Sequence, residues 1–118
     1  MEIFNIYHIE AARRLPRLPE SHPCSRVHGH SFRIEIHVGG AVDPDTGWVM
    51  DFAELDAAFA PVKAQLDHRY LNDIPGLENP TSERLAQWIW ERLKPGMPGL
   101  GKIVVQETCL SGCVYRGE

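Results

Sequence analysis

Seven residues, Cys24-Ser25-Arg26-Val27-His28-Gly29-His30, hold one of the three cysteines and two of the six histidines in the chain. A strand pattern follows at once. If His28 and His30 open that strand, their side chains share a face, because side chains alternate with period two. Their Cα atoms are then about 6.7 Å apart. Two rings leaning inward from such a pair can share one metal ion, given a Zn–N bond of about 2.0–2.1 Å. Gly29 leaves room for a ligand near the backbone. A His-x-His pair also occurs as a hydrogen-bonded surface feature, so the surroundings decide its meaning.

Those surroundings are short strands and two helices. Residues 2–12 carry Ile3, Phe4, Ile6, Tyr7 and Ile9, a strand composition. Pro16, Pro19 and Pro23 make residues 15–23 a stiff loop that delivers Cys24. From Phe32 the alternation is clean, with Phe32, Ile34, Ile36 and Val38 on one face and Arg33, Glu35 and His37 on the other. This predicts a half-buried antiparallel strand, with His28 and His30 on the face of Phe32. Asp51 and Glu54 form a capping-box-like start to a helix of about 15 residues. Its apolar stripe is Phe52, Leu55, Phe59, Val62 and Leu66, and Pro61 is expected to bend or divide it. Pro80, Thr81 and Ser82 open a second helix that buries Leu85, Trp88, Ile89 and Leu93 and stops at Pro95-Gly96. Residues 102–108 read as a third strand and Val114-Tyr115 as a short fourth. The order β-β-α-α-β-β predicts an α+β fold, an antiparallel sheet with two helices on one face.

The chain has 118 residues, which suits a single domain spanning 1–118. A domain this small buries only about 65% of its unfolded surface, so association of copies is expected to add burial. A net charge of −4 argues against a nucleic-acid partner. No apolar run approaches the roughly 20 residues that span a bilayer, so no membrane partner is expected. No signal peptide is visible, and three unpaired cysteines fit a reducing, cytoplasmic setting.

The ordered motifs resemble the 6-pyruvoyl-tetrahydropterin synthase family, and within it the bacterial 6-carboxytetrahydropterin synthases of the queuosine pathway. They are Glu10-Ala-Ala…Leu15-Pro16, Cys24-x-Arg-x-His28-Gly-His30-Ser-Phe and Gly47-Trp-x-x-Asp-Phe52. Then come Leu66-Asp-His68, Leu71-Asn-Asp, Asn79-Pro-Thr-Ser-Glu83 and Glu107-Thr-Cys…Cys113. Each motif is weak alone, but the ordered set runs along nearly the whole chain and is specific. The resemblance implies the tunnelling fold, with trimeric barrels stacked into hexamers and active sites at subunit interfaces. It implies a lyase that converts 7,8-dihydroneopterin triphosphate to 6-carboxytetrahydropterin, acetaldehyde and triphosphate.

The resemblance also assigns roles. His28 and His30 are the implied zinc ligands, with Zn²⁺ stabilising charge that develops as protons leave carbon. Cys24 is the implied general acid/base; Arg26 beside it favours the thiolate. His68, oriented by Asp67, is the implied relay partner. Glu107 is the implied pterin anchor, taking two parallel N–H bonds from the amino-pyrimidinone edge, and is also assigned to the relay. Thr81, Ser82 and Thr108 could add hydroxyl contacts to the substrate, although capping a helix would occupy Thr81 and Ser82 equally well. Arg13, Arg14, Arg17 and Arg26 are candidate partners for the triphosphate.

One position departs from the family pattern. The third zinc histidine is expected after Glu10-Ala11-Ala12, where this chain has Arg13. Arginine stays protonated and offers no lone pair. His8 lies five residues back on the opposite face, about 17 Å away. His22 or Cys24 could reach in from the loop. Weak zinc binding is therefore expected unless the loop supplies a donor, and a pterin-binding paralogue without activity is the alternative. A third reading places His28 and His30 with Cys109 and Cys113 in a closed Cys₂His₂ structural zinc site.

Overall fold

The computed structural model describes all residues, Met1–Glu118. The strands β1 (Glu2–Arg13), β2 (His28–Gly39), β3 (Leu100–Gln106) and β4 (Gly112–Tyr115) form one antiparallel sheet in the order β1-β2-β3-β4. The helices α1 (Phe52–Leu66) and α2 (Ser82–Leu93) lie between β2 and β3 in sequence and cover one sheet face. Period-two alternation supplies that face with Ile9, Ala11, Phe32, Ile34, Ile36, Ile103 and Val105, all buried. Leu55, Phe59, Val62 and Leu66 of α1 pack down on it, joined by Leu85, Trp88, Ile89 and Leu93 of α2.

The opposite face is polar and partly apolar. Phe4 and Ile6 remain about half exposed there. His37 is buried between Glu2 and Glu35, at 2.9 and 2.7 Å, and stacks on Phe4.

Several boundaries differ from expectation. Asp51 caps α1 as predicted, its carboxylate accepting the Ala53 N–H at 2.9 Å. Pro61 does not divide the helix. It lies on the solvent side, where water can take the carbonyl that the missing N–H leaves free. Phe52 is 53% exposed and not part of the buried stripe. Helical side chains lean toward the N-terminus, so the first residue's ring has no earlier turn to lie on. The third strand ends at Gln106, before the predicted 108, because the Glu107 N–H turns to the Ser111 carbonyl at 3.1 Å. Glu107 therefore lies just past the strand, where the chain begins its turn into β4.

One loop docks on the free edge of β1 and a second closes between β1 and β2, and together they flank the site. The His68 N–H donates to the Glu10 carbonyl at 2.6 Å, and the Ala12 N–H donates to the Arg69 carbonyl at 3.0 Å. A parallel bridge joins Ala12 to Tyr70. This pairing covers an edge that would otherwise stay open. The proline-rich loop closes where the Leu15 N–H meets the Cys24 carbonyl at 2.8 Å.

Candidate active site

The register of β1 against β2 builds the site. Ala11 pairs with His30 and Arg13 pairs with His28. Ile9, Ala11 and Arg13 share one parity, so the pattern that buries Ile9 also carries Arg13 inside. Arg13 is only 1% exposed. A guanidinium in that place must find acceptors. Its Nη2 donates to Glu107 Oε1 in an ion pair, and its Nη1 donates to the Pro80 carbonyl at 3.0 Å. The guanidinium also lies 5.2 Å from the centre of the Phe32 ring. Its Nε has no partner.

Glu107 Oε1 accepts a second bond, from Ser82 Oγ at 2.6 Å. Burial pushes the Glu107 carboxyl up, but the Ser82 hydroxyl and the Arg13 guanidinium outweigh it and hold it below the usual range. Oε2 takes no bond within the chain. The predicted two-oxygen anchor thus has one oxygen already engaged. No pattern in the sequence pairs positions 13, 82 and 107; the readable signal was parity, which puts an arginine inside and so demands a carboxylate.

His28 and His30 share a face, as the alternation predicts. Their ring centres are 4.8 Å apart at 88°, and His30 sits 5.6 Å from Phe32. Burial and the nearby Arg13 charge hold His30 below its ordinary range. His28 Nδ1 lies 2.7 Å from the Arg26 carbonyl. A carbonyl only accepts, so Nδ1 carries the proton and Nε2 the lone pair of the neutral ring. That Nε2 is buried and without a partner.

His68 takes the left-handed conformation, φ 59°, at the end of α1. Asp67 holds the turn: its Oδ1 accepts the Glu10 N–H at 2.9 Å, and its Oδ2 lies 3.1 Å from His68 Nδ1. The Glu10 N–H is the main reason that the Asp67 carboxyl sits low. The His68 ring is 77% exposed. It faces an open cleft of about 470 Å³ that also has Glu10, Ala11, His30, Ser31 and Tyr70 in its walls. Glu10 was not singled out by sequence reasoning; its Oε2 accepts the Ser31 hydroxyl at 2.7 Å. Glu107 opens instead into a neighbouring depression with His8, Arg33 and Thr108, and Ser31 is common to both.

The remaining candidates sit apart. Cys24 lies half-buried in a short turn, Pro23–Ser25, and is not in the wall of the His30–His68 cleft. Its N–H donates to His22 Nδ1 at 3.1 Å, and His22 is exposed, so neither residue joins the two histidines. Thr81 caps α2 by accepting the Arg84 N–H at 3.2 Å. Thr108 Oγ1 accepts two backbone N–H groups, from Leu110 and Ser111, both at 3.1 Å. Of the hydroxyl candidates only Ser82 touches Glu107. Arg14 Nε donates to the Ser25 carbonyl at 2.9 Å, while Arg17 and Arg26 are exposed.

The tautomer of His28, with its orphaned inward nitrogen, is what a metal-ligating imidazole shows. The rest of the donor set is missing. No group of three or more His, Cys, Asp or Glu side chains gathers anywhere in the chain. The residue directly across from His28 is a buried cation. Two nitrogens facing a fixed guanidinium do not fit a catalytic zinc, which takes three protein ligands. The closed Cys₂His₂ reading fails on the same count, and Cys109 is exposed.

A small α+β sheet protein with a histidine-lined cleft beside an ion-paired carboxylate is the class that fold and site define. The 6-pyruvoyl tetrahydropterin synthase family model matches residues 2–118, and the chain belongs to that family. A 6-carboxy-5,6,7,8-tetrahydropterin synthase of Synechocystis is 45% identical, over 96% of this chain and 91% of its own. One of Bacillus subtilis is 33% identical, over 92% of this chain and 80% of its own. The structure of Caenorhabditis elegans 6-pyruvoyl tetrahydropterin synthase superposes with a TM-score of 0.92 at 28% identity, covering 100% of this chain and 96% of that one.

Proposed function

We propose that this chain is a 6-carboxy-5,6,7,8-tetrahydropterin synthase. It converts 7,8-dihydroneopterin triphosphate to 6-carboxytetrahydropterin, acetaldehyde and triphosphate, in the queuosine (7-deazaguanine) pathway of the cytoplasm. The observation that carries the reading is the 45% identity to a named synthase along almost the whole chain. Residues 1–118 act as one tunnelling-fold domain, and copies associate as trimers or hexamers that share sites. The exposed apolar groups on the outer sheet face, Phe4, Ile6 and Val114, support such association.

Glu107 receives the N–H edge of the pterin beside Ser82, with Thr81 and Thr108 as the further hydroxyl contacts. His68 moves protons at the substrate side chain, with Asp67 holding its Nδ1 and leaving Nε2 toward the cleft. Cys24 is the second acid/base and is brought to the side chain from the loop. Arg14, Arg17 and Arg26 receive the triphosphate. Zn²⁺ is the cofactor that the family resemblance implies, and His28 and His30 would be its ligands, but the residues present do not complete its site.

The Arg13–Glu107 ion pair favours a second reading, a pterin-binding paralogue with little or no turnover. Acetaldehyde release from dihydroneopterin triphosphate separates the two. Release that depends on His68 supports the synthase; pterin binding with no acetaldehyde supports the paralogue.

A further inference from the structure

Arg13 presents an inconsistency that the proposed reaction does not use. It stands directly across from His28, inside the sheet, at the position where the family pattern expects a ligand nitrogen. Its charge is neutralised, and not by solvent. Nη1 is held by the Pro80 carbonyl and Nη2 by Glu107 Oε1, the same oxygen that accepts the Ser82 hydroxyl. These contacts tie β1, the start of α2 and the end of β3 into one corner. They also decide which part of Glu107 remains for a ligand, since Oε1 carries two bonds and Oε2 none.

We propose that Arg13 is a positioning residue that makes this a metal-independent site: a resident cation acts through Glu107, engaging Oε1 so that Oε2 alone faces the ligand. The ligand class rests on the function proposed above, a planar amino-lactam heterocycle whose adjacent N–H groups share that one oxygen. A dication has no place beside the guanidinium, since like charges at contact distance repel and only two imidazoles answer it. The carboxylate needs no metal to stay charged, because Arg13 and Ser82 already favour its ionised form.

The test uses the full chain, purified without added metal, with neopterin as the probe. Metal analysis is expected to find less than about one zinc per ten chains, and neopterin binding is expected to be unchanged by a chelator. Cobalt(II) added to the wild type gives no tetrahedral absorption band, whereas Arg13→His, with three imidazoles on adjacent strands, gives one. Arg13→Met lowers neopterin affinity at least tenfold and moves the acid limit of binding to higher pH; Arg13→Lys restores part of both.

Because Arg13 is buried, Arg13→Met can fail to fold. Ser82→Ala leaves the ion pair in place and is expected to move the acid limit the same way by a smaller amount. Arg13→Met combined with Glu107→Gln binds no more weakly than Glu107→Gln alone, because Arg13 acts through Glu107. One zinc per wild-type chain, or neopterin binding abolished by the chelator, overturns the proposal. So does an additive double variant, or an acid limit that neither Arg13→Met nor Ser82→Ala moves. Failure of the wild type to bind any pterin while remaining zinc-free overturns the proposed function and the assigned ligand together. Stoichiometric zinc with normal neopterin binding leaves the proposed function standing and removes only the role of Arg13.

Discussion

The two carboxylate pairs beside this cleft differ in burial. Arg13 and Glu107 meet with side-chain exposures of 2% and 30%, and Asp67 and His68 with 28% and 77%. An exposed pair gains little, because water and salt screen it. A buried pair is costly to form but more costly to break, since removing one partner strands the other charge in a poor solvent. The Arg13 corner is therefore fixed by burial, whereas the His68 ring of the Asp67–His68 turn stands open to what enters the cleft. The buried pair thus borders one depression and the solvated pair the adjoining cleft, with Ser31 between them.

The largest effect is expected from breaking the buried end. Glu107→Gln leaves Arg13 without its counter-ion and should lower stability by about 3 kcal/mol in chemical denaturation. Pterin binding should weaken as well, because the amide can place a donor against the pterin N–H groups. A variant as stable as the parent would show that the pair contributes nothing.

Removing one hydrogen bond from the same carboxylate should cost less. Ser82→Ala is expected to lower stability by about 1.5–2 kcal/mol, the usual value for a bond to a charged group. A loss equal to that of Glu107→Gln would show that Ser82, and not Arg13, carries the corner.

Acid should weaken this end selectively. The Glu107 carboxyl lies below its ordinary value of 4.5 in the folded chain. Its contribution is present in full above that ordinary value and is lost as pH falls through the lowered folded value. The stability of the wild type should fall in that acidic window, and that of Glu107→Gln should fall less. Parallel pH profiles would remove Glu107 as the cause.

The smallest stability effect is expected at the exposed end. His68→Asn keeps a residue that tolerates positive φ and should change stability by no more than about 0.5 kcal/mol. Acetaldehyde release should fall by roughly 10²-fold or more, the usual weight of a general acid/base. Unchanged release would leave His68 a surface turn residue.

Much of the fold was legible because its signals are local. The alternation after Phe32 placed His28 and His30 on the inner face, and Asp51 marked the start of α1. Thr81 took the capping role that its position suggested. Pro61 does not divide the helix because the effect of a proline depends on which side of the helix meets water, and Phe52 stays exposed because a stripe says nothing about what lies beneath its first residue.

Residue identity and spacing by themselves determined that the chain has two inward histidines, a permanently charged arginine at position 13, and an Asp-His turn after the first helix. These follow from period two, period 3.6 and the absence of a lone pair on guanidinium. Tertiary structure alone decided where the charges go. Arg13 and Glu107 are 94 residues apart and Ser82 and Glu107 are 25 apart, so their meeting depends on strand register and helix placement. His68 reaches the cleft only because its backbone docks on the β1 edge at Glu10. A charge carried into a sheet interior must find its partner there, and which partner it finds is settled by packing, because hydrophobic burial sets the register and the polar groups must pair within it.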